Sequence, residues 1–224
     1  MVSATSEVHF PKNESIWLIL LLEPPIFGRL LYCLFLAVML NWYEVWEGGV
    51  CLVELNDIYN ENRELTGRVH KRGTPWKPGE YGLVVCVWVY DGNGRILLTR
   101  RARGKSFAGT WENSGGAAKA GETSRQAIAR ELFEETGIRA AEEEFELLDS
   151  DRDRNTFYDF YCIKRTIPLE EIVLLPGETD DVQWATYGKI HWMIRAGKIC
   201  RVIARQFQRQ EQALRLRNPH KNYG

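Results

Sequence analysis

A strong net charge is absent from this chain of 224 residues. It contains 29 Lys and Arg residues and 30 Asp and Glu residues, which gives a net charge of −1 at pH 7. Such a balance provides no general attraction to nucleic acid or to an anionic membrane. Long apolar runs are also lacking, because residues 16–22 and 30–40 fall short of the roughly 20 apolar residues that span a bilayer. We therefore expect a cytoplasmic protein with neither a nucleic-acid polymer nor a membrane as its partner.

Paired cysteines and clustered histidines are missing as well. The five cysteines are odd in number and share no CxxC spacing, and the four histidines are scattered along the chain. Neither a disulfide framework nor a zinc site is indicated. The cysteines are predicted to be reduced thiols, most of them buried as small hydrophobic side chains. Composition leaves the oligomeric state open, including a homodimer.

The first 52 residues differ from the rest, because their two apolar runs follow no amphipathic period. Glu47-Gly48-Gly49 can be encoded by a bacterial ribosome-binding sequence read in frame, and Leu52 and Val53 follow at the distance of alternative start codons. One hypothesis is that residues 1–52 are translated leader DNA and are dispensable. A weak membrane anchor is the alternative. Residues 53–224 are predicted to form the functional domain.

Strand and helix patterns alternate from residue 54 onward. Leu83–Tyr90 is a continuous apolar run of mainly β-branched and aromatic residues, which is typical of a strand covered on both faces. Asp91-Gly92-Asn93-Gly94 predicts a tight hairpin to a second strand at Arg95–Thr99. These patterns indicate an α/β sandwich. Further strands are predicted at 144–148, 156–164 and 182–184, helices at 122–136 and about 199–214, a turn at 66–67 and a loop at 71–79.

Three carboxylates lie close together on the first predicted helix. Glu131, Glu134 and Glu135 have the spacing i, i+3, i+4 and therefore share one helix face. Like charges at this spacing repel each other, so a helix that buries its other face needs a cation beside the acids. Hard carboxylate oxygens favour Mg²⁺ or Mn²⁺, and Mg²⁺ commonly shares its coordination with substrate phosphates. The opposite face, which is expected to pack on the sheet, consists of Ile128, Ala129, Leu132 and Phe133.

The setting of these acids resembles a known signature. Residues 116–138 read GAAKAGETSRQAIARELFEETGI, and they match the Nudix signature G-x5-E-x7-R-E-U-x-E-E-x-G-U, where U is a bulky apolar residue. We call residues 116–138 the box. The flanking residues extend the resemblance over about 54–204, and the stretch up to Tyr81 is similar to Nudix proteins related to isopentenyl-diphosphate isomerase. The fixed positions are filled by Gly116, Glu122, Arg130, Glu131, Leu132, Glu134, Glu135, Gly137 and Ile138.

The resemblance implies a Nudix-type α/β/α sandwich with a mixed sheet and a pyrophosphohydrolase acting on a small diphosphate, such as a nucleoside diphosphate linked to another group. It implies that Mg²⁺ or Mn²⁺ neutralises the diphosphate and activates the water that attacks phosphorus. Glu131, Glu134 and Glu135 would bind the metal. Glu122 and the Gly116 carbonyl would complete the site, and Arg130 would orient Glu131.

Neither the general base nor the phosphate-binding residues are fixed by the box. Glu131 is one candidate base, and Glu178 in the acidic segment 176–181 is another, with an ordinary turn as the alternative for that segment. Arg100 and Arg101 follow the second strand, where guanidinium groups can bind phosphate through paired hydrogen bonds. A solvated basic turn is the alternative for these arginines.

Two other functions stay open. Similar isomerases use a Cys before the box and His residues for a second metal site, yet residues 111–116 (WENSGG) contain neither. Cys86 lies in a strand predicted to be covered, so we do not assign it this role. The second alternative is a Nudix-fold binding module without turnover, although such a module would be expected to have lost acids of the box.

Overall fold

The computed structural model describes residues 53–219. The predictions for residues 1–52 and for the last five residues lie outside this range. No helix in the described part of the chain is long and apolar enough to cross a membrane. The strands are β1 (Leu55–Tyr59), β2 (Leu65–Lys71), β3 (Gly82–Tyr90), β4 (Arg95–Arg101), β5 (Trp111–Glu112), β6 (Ser114–Ala117), β7 (Glu146–Asp153), β8 (Thr156–Lys164) and β9 (Thr179–Thr186); the helices are α1 (Ser124–Thr136), α2 (Tyr187–Arg195) and α3 (Arg201–Arg217), with 3₁₀ turns at Glu142–Glu144 and Leu169–Glu171.

A mixed sheet of seven strands forms the middle layer. Its main order is β5-β4-β3-β8-β7, with β6 paired to β3 and β9 paired to β4. β3 and β8 are parallel, whereas the other pairs are antiparallel. Val85 and Val87 of β3 belong to a core shared with α1, and Trp88 belongs to a second core shared with α2 and α3. The predicted α/β/α sandwich is therefore confirmed.

The helix of the box begins later than predicted. Thr123 is its N-cap and accepts a hydrogen bond from the Gln126 backbone N–H, so α1 starts at Ser124 rather than at Glu122. Gly137 ends the helix with a φ of 71°, a left-handed conformation that favours glycine. Phe133 was expected to pack on the sheet, but it is 40% exposed beneath the Arg139 guanidinium. It lies about 100° around the helix from fully buried Leu132, which puts it outside the packed face.

Other boundaries also differ from the sequence prediction. The predicted strand 144–148 overlaps only the start of β7, because Glu144 belongs to a 3₁₀ turn. The predicted strand 182–184 is part of the longer β9, and α2 was not predicted. In α3, Ile203, Phe207 and Leu214 are buried, whereas Val202 is 50% exposed. The described cysteines, Cys86, Cys162 and Cys200, are free and buried, which confirms their prediction as reduced core residues.

An unpredicted two-stranded ribbon, β1–β2, lies against the box. Its turn is at Asn60–Glu64, not at the predicted Thr66-Gly67. The Asn56 side chain donates to the Ala118 carbonyl at 2.7 Å, and Asp57 accepts from the Gly121 backbone N–H at 2.7 Å. The Ala120 N–H also donates to the Leu55 carbonyl at 2.8 Å. The ribbon thus holds the loop between β6 and α1.

The buried carboxylate of Asp159 joins the ribbon, α1 and the sheet. It accepts hydrogen bonds from the Arg63 guanidinium in the ribbon turn, from the Ser124 hydroxyl at 2.6 Å and from the Ser150 hydroxyl at 2.8 Å. Burial opposes ionisation, but the hydrogen bonds from Arg63, Ser124 and Ser150 outweigh it and lower the pKa of Asp159. The ionised carboxylate of Asp159 therefore links the ribbon, α1 and the sheet.

We expect Asp159→Asn to lower the free energy of unfolding by about 2 kcal/mol at pH 7, because buried donors lose a charged acceptor. The lowered pKa means that this stabilisation is present above the ordinary aspartate pKa and disappears as the pH falls through the folded-state value. Urea unfolding at pH 7 and below pH 4 measures it. Exposed Asp153→Asn is the control, and an equal loss in both variants would contradict the assignment.

Candidate active site

The framework of the site is the junction between β6 and α1. β6 pairs with β3 through Val85↔Gly116 and Cys86↔Gly115. A Cβ atom at Gly116 would overlap the Glu131 carboxylate, and a Cβ atom at Gly115 would meet the backbone of β3. Glycine at these two positions therefore allows the carboxylates of α1 to lie directly against the backbone of β6.

Three acids of the box converge on Arg130. Its Nε and Nη2 donate to Glu122 at 2.6 and 2.9 Å, and its Nη1 donates to Glu131 at 2.8 Å and to Glu134 at 3.0 Å. Burial disfavours the charge on Arg130, but the hydrogen bonds and charges of Glu122 and Glu131 raise its pKa above the ordinary value. Burial also raises the pKa of Glu131, although Arg130 opposes this effect. The expected contact between Arg130 and Glu131 is present.

Glu135 lies on the buried side of the same group of acids. Its Oε2 has no hydrogen-bond partner within residues 53–219. Burial, together with the charges of Glu112 and Glu131, raises the pKa of Glu135 well above its ordinary value, while hydrogen bonds from Ser114 and the Gly115 backbone act in the opposite direction. An unpartnered carboxylate oxygen in a buried position is costly unless a cation or a proton is supplied.

Glu112 is a member of this acidic group that sequence reasoning missed. It precedes the box on β5 and is mostly buried, and both of its carboxylate oxygens bind the Arg101 guanidinium, at 2.6 and 2.8 Å. Burial raises the pKa of Glu112 despite Arg101, and its own charge raises the pKa of Glu135. The antiparallel pairing of Thr99 with Glu112 brings β5 beside β4 and carries Glu112 into the group.

The two arginines predicted to bind phosphate both have acidic partners. Arg101 binds Glu112, whereas Arg100 binds Asp180 at 2.6 Å and lies 3.4 Å from Asp181. Arg100 is also stacked over the Trp111 ring at 5.7 Å. The structure therefore brings Arg101 into contact with the acidic group, whereas the contacts of Arg100 are with Asp180, Asp181 and Trp111.

Glu178 lies just before β9 and forms an ion pair with Lys105. Its backbone carbonyl accepts a hydrogen bond from the Ala102 N–H at 3.0 Å, so the segment is fixed to the end of β4. The charge of Glu178 contributes to raising the pKa of Glu112, which places the two carboxylates within electrostatic range. The acidic segment 176–181 is thus adjacent to the group of acids, with Lys105 as the direct contact of Glu178.

The donor atoms of the box fit a hard divalent cation. No three His, Cys, Asp or Glu side chains within residues 53–219 surround a common metal position, since Arg130 occupies the space between Glu122, Glu131 and Glu134. The available donors are nonetheless all oxygens, and the Glu135 Oε2 lacks a partner in the described residues. Carboxylate and carbonyl oxygens are the donors that Mg²⁺ and Mn²⁺ prefer.

Cys86 lies behind the site and is only 7% exposed. Burial raises the pKa of its thiol, and the charges of Glu112, Glu135 and Glu131 add to this effect. The thiol is therefore protonated at neutral pH and closed to solvent, whereas a reactive cysteine needs the thiolate form and access. The prediction that Cys86 lies in a covered strand is confirmed.

Comparison with known proteins gives a consistent result. The family model described as NUDIX domain matches residues 80–202. The chain is 34% identical over 144 residues to the Listeria innocua protein named "Uncharacterized Nudix hydrolase lin0387", and the match covers 63% of this chain and 85% of that protein. The structure of this chain resembles the crystal structure of DR0079 from Deinococcus radiodurans, with a TM-score of 0.60 and 22% sequence identity. The match covers 70% of this chain and 99% of DR0079.

Two shorter matches cover parts of enzymes with named activities. The CTP pyrophosphohydrolase of Escherichia coli is 42% identical over 61 residues, which is 27% of this chain and 45% of that enzyme. The isopentenyl-diphosphate Delta-isomerase of Leifsonia xyli is 44% identical over 71 residues, which is 31% of this chain and 36% of that enzyme. By its matching family model and its Listeria relative, the chain belongs to the Nudix hydrolase family, whose enzymatic class is that of the pyrophosphohydrolases.

Proposed function

We propose that this protein hydrolyses the diphosphate bond of a nucleoside-diphosphate-linked or related small molecule, with Mg²⁺ or Mn²⁺ as the cofactor. The observation that carries the proposal is Glu135, a buried carboxylate with a raised pKa and an unpartnered oxygen within residues 53–219. Glu135 adjoins other acids that also need a cation. A CTP pyrophosphohydrolase among the relatives supports the nucleotide class.

Glu131, Glu134 and Glu135 would hold the metal, together with Glu122 and the Gly116 carbonyl. When bound, the metal supplies positive charge to the diphosphate and acidifies a water molecule. Arg130 contacts Glu122, Glu131 and Glu134, so it positions these carboxylates and limits their mutual repulsion. Arg101 would orient the phosphates from beside Glu112, and Arg100, which forms an ion pair with Asp180, is the second candidate for this role.

The general base is assigned to Glu131 or Glu178. Burial raises the pKa of Glu131, and a base with a pKa closer to neutral removes a proton from water more effectively at the point of attack. Glu178 is the more accessible candidate, but Lys105 neutralises it in this structure. We favour Glu131, because it lies within the group of acids that would bind the metal.

The test is a panel of nucleoside triphosphates, nucleoside diphosphate sugars, dinucleoside diphosphates and isoprenoid diphosphates, assayed with the full chain and Mg²⁺ in H₂¹⁸O. The expected result is cleavage between two phosphorus atoms with one ¹⁸O in a phosphate product, detected by mass spectrometry. Label on a carbon atom, or no cleavage of any member above the background without enzyme, would overturn the proposal.

Isomerisation of isopentenyl diphosphate is the second candidate, and partial matches to isopentenyl-diphosphate isomerases favour it. The segment before the box contains no cysteine, and Cys86 is buried and protonated. We expect no dimethylallyl diphosphate from isopentenyl diphosphate above the background without enzyme, as measured by proton NMR. Formation of this product at rates comparable to diphosphate hydrolysis would reverse the choice.

A further inference from the structure

A cavity of ≈190 Å³ opens beside the box. It lies between the β1–β2 ribbon, the loop that follows the ribbon, and the starts of β3 and β8. The side chains that matter for its chemistry are those of Asn56, His70, Arg72, Thr74, Trp76 and Thr156, and the apolar part of its lining includes Leu83 and Val84. Ala117 of the box also lines the cavity, whereas none of the acids described above does.

Two stacked aromatic rings form part of the cavity wall. The His70 and Trp76 ring centroids are 3.6 Å apart and the rings are inclined by only 9°. Trp76 also lies on the backbone at Gly82, where a Cβ atom would come within 2.7 Å of the Trp76 Cζ2. His70 itself is 7% exposed. Packing against His70 and Gly82 therefore holds the Trp76 ring in place.

The cavity also has polar groups suited to the edge of a flat heterocycle. Asn56 is only 5% exposed, and its Nδ2 donates to the Ala118 carbonyl at 2.7 Å. Its Oδ1 is the acceptor of the same side chain and can accept a hydrogen bond from a ligand. The hydroxyls of Thr74 and Thr156 contribute further polar character to the lining.

The cavity and the acidic group are adjacent. Ala117 lines the cavity, and its carbonyl accepts a hydrogen bond from the Arg130 Nη2 at 3.1 Å. Arg72 also lines the cavity, and its hydrogen bond to Glu54 is the main cause of its raised pKa, to which the charges of Glu131 and Glu178 add. Arg72 therefore lies within electrostatic range of Glu131 and Glu178 while it borders the cavity.

We propose that this cavity binds the base of the nucleoside-diphosphate-linked substrate, an inference that rests on the proposed function. Aromatic rings and polar side chains suit a flat heterocycle with polar edges better than a branched isoprenoid chain. The volume is below the roughly 300 Å³ at which pockets begin to enclose drug-sized ligands, so the cavity takes one ring system and not a whole nucleotide. The phosphates then extend past Ala117 towards Glu131, with Arg72 at the boundary.

Binding of non-hydrolysable probes tests this inference without turnover. The dissociation constants of α,β-methylene-ADP and α,β-methylene-CDP are compared with that of methylenediphosphonate, which lacks base and ribose, by calorimetry on the full chain with Mg²⁺. We expect Trp76→Leu to weaken the tighter nucleotide about tenfold, in the range of base–aromatic stacking, and to change methylenediphosphonate binding less than twofold. Trp192→Leu is the matched control, since Trp192 is 50% exposed on α2.

Equal weakening of all probes, or no weakening of either nucleotide, would overturn the inference. If Trp76→Leu does not fold, the wild-type chain is irradiated with 8-azido-ADP and 5-azido-UDP and the adducts are mapped. Adducts on residues that line the cavity support it, and adducts on other residues or none at all contradict it. Because these measurements need no hydrolysis, failure of the proposed reaction and failure of the base site are distinguishable.

Discussion

Turnover of the best diphosphate substrate should fall to the rate without enzyme when EDTA is in excess over divalent ions. Four acids, Glu122, Glu131, Glu134 and Glu135, lie together in the box, and within residues 53–219 only Arg130 and Lys119 form ion pairs with them. Without a divalent ion, both the substrate diphosphate and these acids are negative, so their repulsion opposes binding as well as chemistry. Phosphate release during titration with EDTA measures the effect.

Restoration by added metal is the control for this experiment. Mg²⁺ or Mn²⁺ in excess over EDTA should restore the full rate, and circular dichroism should show that the chain stays folded throughout. Full turnover in excess chelator would contradict the metal assignment. Loss of activity that accompanies unfolding would instead indicate a structural metal, which also contradicts the assignment.

Glu135→Gln and Glu134→Gln should each lower kcat by at least about 100-fold, since electrostatic and metal-dependent contributions to transition-state stabilisation are of this size. The two variants should differ in stability. Gln removes the buried negative charge of Glu135, so Glu135→Gln should be more stable than the wild type in EDTA at neutral pH. Glu134 is about 41% exposed, and its replacement should leave the stability nearly unchanged. Steady-state kinetics and thermal unfolding give both results.

Glu143→Gln is the matched control for these variants. Glu143 is exposed on the 3₁₀ turn after α1 and has no hydrogen-bond partner among residues 53–219, so its replacement should leave kcat unchanged. Near-wild-type kcat in both Glu134→Gln and Glu135→Gln would mean that the acids of α1 are only a solvated helix face.

The box could be predicted because its geometry is local. The spacing of Glu131, Glu134 and Glu135 along one helix determines that they share a face, whatever the rest of the fold does. Gly116 is a fixed position of the signature, and in the structure it lies against the Glu131 carboxylate. The hairpin at residues 91–94 was equally local, and its strands β3 and β4 pair as predicted.

The remainder of the site depends on contacts between residues that are distant in sequence. Glu112 joins the acids through the pairing of β5 with β4, and Glu178 lies beside them because β9 pairs with β4. The ribbon was missed because only its inner positions, such as Ile58 and His70, are buried, which leaves a weak alternation in a polar segment. Burial of this kind is set by tertiary packing, and the β-strand propensities of the residues carry no information about that packing.

The hydrogen bonds between β1 and the loop of the box limit how far the sequences of these two segments can change independently. Asn56, Asp57 and the Leu55 carbonyl contact residues 118–121, so a change in either partner alters the environment of the other. Substitutions in the two segments should be non-additive, as is usual for residues in direct contact. A chimera that exchanges the ribbon for that of a relative therefore has to carry the relative's residues 118–121 with it.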